Sequence, residues 1–148
     1  MSLSKLHCQE ISNKPDTKLA LLVDLLSGNF ERAPHINKIK NYKIRNSLSR
    51  FRLSAHNLPI EIMRYMNIPR DLRLCPFCCS SIGDETHFFM DCRNVIIENS
   101  RQQVLQMVTG NNANSSREQM VSILRETEYE ILLATGKHIR TIELILKG

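Results

Sequence analysis

Residues 74–92 read LCPFCCSSIGDETHFFMDC, and this stretch decides the fold. Its spacing is Cys75-x2-Cys78-x8-His87-x4-Cys92. Zinc takes four ligands in a tetrahedron, and Cys thiolate with His nitrogen is its usual structural donor set. A two-residue gap lets one tight turn aim two sulfurs at a single point. Pro76 stiffens that turn, Leu74 and Phe77 can shield it, and Gly83 offers a permissive backbone where the chain reverses. Asp84 reads as a helix cap, which puts His87 on the first turn of a helix and Cys92 near its end. Cys79 could replace Cys78 as the second ligand, giving a three-residue gap, but the two-residue gap is the commoner turn. Four protein ligands leave no open position for water or substrate, so the expected Zn2+ is structural rather than catalytic.

Working outward, apolar spacing predicts helices on both sides. Residues 16–26 carry a stripe of Leu19, Leu22, Val23 and Leu26, ended by Gly28. Residues 36–55 place Ile36, Ile39, Ile44, Leu48 and Phe51 on one face. Pro59 opens a short helix over 60–66, and Pro69 stops it. Residues 95–108 turn Ile97, Val104, Leu105 and Val108 inward. Residues 110–116, GNNANSS, read as a linker. Residues 116–133 bring Met120, Ile123, Leu124, Ile131 and Leu132 together, Gly136 punctuates, and 137–147 form a last short helix. The expected fold is mostly α, a small multi-helix domain around a CCHC zinc-binding turn or hairpin. Its segments are 1–34 (N-terminal helix and linker), 35–109 (basic helices plus the zinc module), 110–117 (linker) and 118–148 (C-terminal helices).

The chain has 148 residues, 42% of them hydrophobic and 24% charged, with no Trp. That length suffices for a true core, so Leu, Ile, Val and Met must build it. The net charge of +5 is uneven: 32–73 holds ten Lys/Arg against Glu61 and Asp71, while the remainder is slightly acidic. A basic block of this kind suits a polyanion-facing surface. Its candidate residues are Lys38, Lys40, Lys43, Arg45, Arg50, Arg52, Arg64, Arg70 and Arg73. Tyr42, Phe51 and Tyr65 read as core residues rather than base-stacking ones. His7, His35, His56 and His138 read as ordinary polar side chains, and Cys8 as a free thiol. The polar first twelve residues lack the apolar run of a signal peptide, and no stretch approaches membrane-span length. With five cysteines, four of them clustered, the expected setting is intracellular and reducing, in nucleus or cytoplasm.

The run RFRLSAHNLPIEIMRYMNIPRDLRLCPFC, continued by IGDETHFFMDC, resembles the segment that follows the polymerase in non-LTR (LINE-type) retrotransposon reading frames. The likeness covers about 41–92. It implies metal ligands at Cys75, Cys78, His87 and Cys92, with Pro69 and Arg70 matching the family's step before the zinc module. It also implies RNA or DNA binding in support of reverse transcription. The polymerase itself is not in this sequence. The five aspartates, at 16, 24, 71, 84 and 91, are scattered rather than paired, and neither Asp nor Pro follows Asp91. Paired carboxylates are what two-metal nucleotidyl transfer needs. The expectation is a non-catalytic zinc module binding RNA or DNA without sequence specificity, with no membrane and no small-molecule substrate. The alternative is a zinc-stabilised helical scaffold for protein contacts with no nucleic-acid affinity.

Overall fold

The computed structural model describes residues 21, 22, 25, 38–108 and 115–147. Helix α1 (Tyr42–Arg52) begins where Asn41 Oδ1 accepts hydrogen bonds from the backbone N–H groups of Lys43 and Ile44, at 3.0 and 3.4 Å. Asn favours this position because its short side chain reaches donors that no helical carbonyl can satisfy. The cap corrects the single helix expected over 36–55, since Ile39, Lys40 and Asn41 are not helical. The apolar face survives the break: Ile39, Ile44, Leu48 and Phe51 are all buried. Past Arg52, Ser54 adopts a left-handed backbone (φ 56°) and turns the chain.

Helix α2 (Pro59–Tyr65) starts on Pro59, whose missing N–H costs nothing at a first helical position. A 3-10 turn, Arg70–Leu72, leads into the Cys/His segment. Helix α3 (Val95–Leu105) is capped by Asn94 Oδ1, which accepts from the N–H groups of Ile96 and Ile97. Helix α4 (Ser116–Leu124) is capped by Ser115 Oγ, which accepts from Glu118 N–H. Helix α5 (Tyr129–Lys147), at 19 residues, is the longest among the described residues.

The helix expected over 116–133 therefore stops at Leu124. Arg52 Nη1 donates to the Leu124 carbonyl at 2.8 Å, occupying one of the acceptors a continuing helix would use. The expected punctuation at Gly136 is also corrected, because α5 runs straight through it. A Cβ there would lie 2.4 Å from Ile44 Cγ2, so this glycine lets α1 and α5 touch. Helix α5 packs on α1 along one side and on α3 along another, and the ligand-bearing turn sits against α3, α4 and α5.

One buried cluster joins Leu21 and Leu25 to Leu48, Phe51, Phe88, Phe89, Ile97, Met120, Ile123, Ile139 and Ile142. Of the predicted N-terminal stripe, Leu22 is half-buried, while Leu19, Val23 and Leu26 lie outside the described residues. So do Ile36, Gly28 and residues 110–114 of the expected linker. Phe89 sits at the centre, its ring 6.0 Å from that of Phe51 and 4.8 Å from that of His138. The architecture is mostly helical, a small multi-helix domain built around the Cys/His cluster. Among the described residues, no helix is long and apolar enough to cross a membrane.

Candidate metal centre

The first half of the centre is a hairpin-like knuckle. Leu74 and Ile82 form an antiparallel bridge, Cys75 N–H donates to Ser81 O at 2.8 Å, and Gly83 N–H donates to Arg73 O at 2.8 Å. Within it, Cys79 N–H donates back to Cys75 O at 2.8 Å, closing a tight turn. Cys79 is left-handed (φ 59°), and its exposed thiol leans on the Pro76 carbonyl at 3.6 Å. Its backbone makes the reversal, and its side chain points away from the centre. Cys78 therefore supplies the second sulfur. Gly83 is buried, and a Cβ there would lie 2.8 Å from Pro59 Cγ and 3.0 Å from the Phe88 ring. Close packing against α2, rather than backbone freedom at the reversal, is what requires glycine at 83.

The second half is a short helical turn. Asp84 Oδ1 accepts from His87 N–H at 2.8 Å, as a cap should. From His87 to Asp91 the turn widens to π geometry, with Cys92 N–H donating to His87 O at 2.6 Å. The widening has a purpose. Five residues along an α-helix advance about 500°, leaving two side chains about 140° apart. A turn closed from i to i+5 brings His87 and Cys92 back towards one side.

The ligand atoms of Cys75, Cys78, His87 and Cys92 all lie within 4.8 Å of one another. Cys75 Sγ and Cys92 Sγ are 3.8 Å apart, far longer than the roughly 2.05 Å of a disulfide. His87 Nε2 is buried with no hydrogen-bond partner, although buried polar atoms are nearly always satisfied. Burial pushes the His87 pKa down, favouring the neutral imidazole that ligates metal. Burial pushes the Cys75 thiol up, and the Cys92 thiol up to about 12. The Cys78 thiol goes the other way, lowered mainly by a hydrogen bond from the Arg93 backbone. Such a group of buried donors is stable as thiolates only beside a compensating cation, and a bound dication supplies that charge. The four residues can hold a metal ion.

The supports of this centre are polar and buried. Arg101, on α3, donates through Nε to Phe89 O at 2.8 Å and through Nη2 to Cys92 O at 2.8 Å and Phe88 O at 3.4 Å. One guanidinium thereby satisfies carbonyls that the widened turn leaves over. On the other flank, Glu85 Oε1 accepts from Ser54 Oγ at 2.8 Å and from His56 Nε2 at 2.9 Å. Leu58 N–H donates to His56 Nδ1 at 3.3 Å, which assigns the imidazole proton to Nε2. Burial raises the Glu85 pKa, but the hydrogen bond and charge of His56, with the backbone and Ser54 hydrogen bonds, together outweigh it and the net shift is downward. His138 is fully buried, with Nε2 donating to Phe89 O at 3.0 Å and Nδ1 meeting Ser100 Oγ at 2.8 Å. Burial lowers its pKa to about 4. His56 and His138 thus hold structure rather than metal. His7, Cys8 and His35 lie outside the described residues.

The predicted basic residues do not share one environment. Arg52 and Arg73 are buried and correct the expectation of a phosphate-facing role. Arg52 holds the α4 carbonyl already described, and Arg73 donates to Ile68 O at 2.9 Å and Ile60 O at 3.4 Å. Arg50 pairs with Glu143 at 3.0 Å, Arg64 with the buried Glu61 at 3.1 Å, and Arg70 with Asp84 at 3.7 Å. Arg45 Nη1 donates to Ile39 O at 3.2 Å, and Lys38 Nζ donates to Thr127 O. Lys40 and Lys43 are exposed and carry no ion pair among the described residues. Phe51 is in the core as expected, whereas Tyr42 and Tyr65 are exposed.

No family model, no curated protein and no solved structure matches the chain. The functional reading therefore rests on this chain's own residues. Arg101 escaped the sequence reading although a signal was present. It falls four residues after Ile97 and three before Val104, on the helix's apolar stripe, where a solvated arginine has no place.

Proposed function

We propose that this chain is a non-catalytic zinc-binding module that presents a basic surface to nucleic acid, of the kind that follows the polymerase in LINE-type reverse transcriptases. The observation that carries the zinc reading is the gathering of three cysteine sulfurs and the His87 imidazole within 4.8 Å, with the buried His87 Nε2 left without a hydrogen-bond partner. Three soft thiolates and an imidazole select zinc over hard oxygen-seeking cations. Two thiolates each about 2.3 Å from a tetrahedral zinc lie about 3.8 Å apart. The Cys75–Cys92 separation of 3.8 Å matches that spacing. With all four positions taken by protein, zinc has no site for substrate, so its role is to fold residues 74–92.

Support for the nucleic-acid part is the exposed cationic group Lys40 and Lys43, together with the likeness of 41–92 to the retrotransposon segment. Intracellular residence in a reducing compartment goes with this reading, since thiolate ligands need it. Native mass spectrometry of the purified chain, with and without a strong chelator, tests the metal. One zinc per chain is expected, lost together with part of the helicity when chelated. A metal-free chain with full helicity would contradict it.

A second reading has its own observation. Ile62 and Tyr65 on α2 and Met66, its C-cap, follow at i, i+3 and i+4 and are 45%, 71% and 63% exposed. A stripe of that kind suits a protein partner. On that reading the zinc centre braces a docking scaffold, and oligonucleotide binding is negligible at any salt concentration.

A further inference from the structure

A cleft of about 610 Å³ opens between the start of α1, the outer face of α3 and the middle of α5. Lys43, Lys137 and Arg140 line it, and no carboxylate does. None of the three forms an ion pair among the described residues. The fold forces this crowding. Gly136 brings α5 against Ile44, and Lys137 and Lys43 are the chain neighbours of those two contact residues. Like charges gathered in one cleft repel, and an anion in the cleft offsets that cost. The first turn of α1 contains no acidic residue, so the positive end of that helix adds to the same field.

The rest of the lining is not that of a bare ion site. Ile96 and Leu144 offer apolar surface, 59% and 52% exposed, and Asn99 and Gln103 stand on successive turns of α3. Tyr42, beside Lys43 in the chain, is exposed as well. A ligand that fits has a charged edge, flat apolar faces and hydrogen-bonding rims. Single-stranded nucleic acid has all three, and amide side chains both donate to and accept from base edges. An acidic peptide lacks the flat faces, and a duplex hides its bases. Deepening the nucleic-acid reading above and resting on it, we infer that this cleft takes a single strand. Lys43, Lys137 and Arg140 hold its phosphates, and the α3 face meets its bases. The arginines at 50, 64 and 70 take no part, because each is already engaged by a carboxylate.

Fluorescence anisotropy of the full, metal-loaded chain with a labelled mixed-sequence single-stranded DNA oligonucleotide tests this, read across a salt series. Lys137→Gln, Lys43→Gln and Arg140→Gln are compared with Arg125→Gln, an exposed arginine outside the cleft. Zinc content and helicity verify that each variant is folded, and three independent cleft variants protect against the loss of one. Each cleft variant is expected to weaken binding about three- to tenfold. Each should also flatten the log–log salt slope by about 0.7, the single-strand value per phosphate contact. Arg125→Gln should do neither. If wild type binds the oligonucleotide and cleft and control variants are indistinguishable from it, the cleft is overturned and the nucleic-acid reading stands. If duplex DNA binds more tightly with the same dependence on the cleft, the single-strand assignment is overturned. If wild type binds no oligonucleotide but binds polyglutamate or phosphatidylserine vesicles, both readings fall.

Discussion

Around Cys75 and Cys92 the chain is held by donors, acceptors and converging ligands, whereas α1 and α5 meet by close apolar packing at Gly136. In the first region, Arg101 ties down three carbonyls, Asp84 caps the turn, and Glu85 gathers Ser54 and His56. In the second, Ile44 fills the space a side chain at 136 would need. The contrast teaches that the two regions depend on different conditions. The knuckle needs an ion and deprotonated ligands. The helix crossing needs shape. They are joined through Phe89, whose ring meets Phe51 and His138 while its carbonyl serves Arg101 and His138.

The largest expected effect comes from Cys92→Ser. Structural zinc contributes on the order of 10 kcal/mol to the folding of small modules, so its loss removes most of the local stability. Hydrogen exchange should show residues 74–92 unprotected while amides of α5 near Ile139 keep part of their protection. Simultaneous loss in both would erase the distinction between the regions.

Next is Arg101→Met, which leaves the Cys92 carbonyl without its side-chain donor and the Phe89 carbonyl with His138 alone. A cost of roughly 2–4 kcal/mol in urea unfolding is expected. Zinc affinity measured by chelator competition should fall about 10- to 100-fold, the usual penalty for losing an outer support of a ligand. An unchanged affinity would show that the knuckle does not rely on α3.

The third test uses pH. The folded His138 pKa, about 4, lies below the ordinary histidine value. As pH falls through about 6.5 the unfolded chain takes up a proton that the folded chain refuses until about 4. Stability is therefore full above that window, declines across it and is flat below it, by about 3 kcal/mol at most for this group. The His138→Gln variant should show a correspondingly shallower decline than wild type between pH 6.5 and 4.5. Parallel curves would remove His138 from the account.

Gly136→Ala comes fourth. Its methyl would overlap Ile44 Cγ2, an overpacking that costs about 1–3 kcal/mol before about 1 kcal/mol of helix propensity is regained. Ile44→Leu removes the offending branch and should restore part of the loss in the double variant. Zinc content should not change in either. Cys79→Ser is the smallest, under about 0.5 kcal/mol with zinc retained, because that thiol is exposed and makes only a weak contact.

What the sequence disclosed was local chemistry. The spacing of Cys75, Cys78, His87 and Cys92, the cap at Asp84 and the apolar faces of α1, α3 and α4 each arise within a few residues, and each stands in the structure. What it concealed needed a partner from elsewhere in the chain. Gly136 reads equally as a stop or as a contact until Ile44 is beside it. Arg52 and Arg73 read as surface charge because their carbonyl acceptors, Leu124 and Ile68, are not adjacent in sequence. The widened turn over His87–Asp91 has no pattern of its own. It follows from the need to face two ligands the same way.

Zinc K-edge X-ray absorption on the purified chain reads the ligand shell of the bound ion itself. A four-coordinate ion with three sulfurs at about 2.3 Å and one imidazole nitrogen at about 2.0 Å is expected. Two or fewer sulfurs, or a water oxygen in the shell, would contradict it.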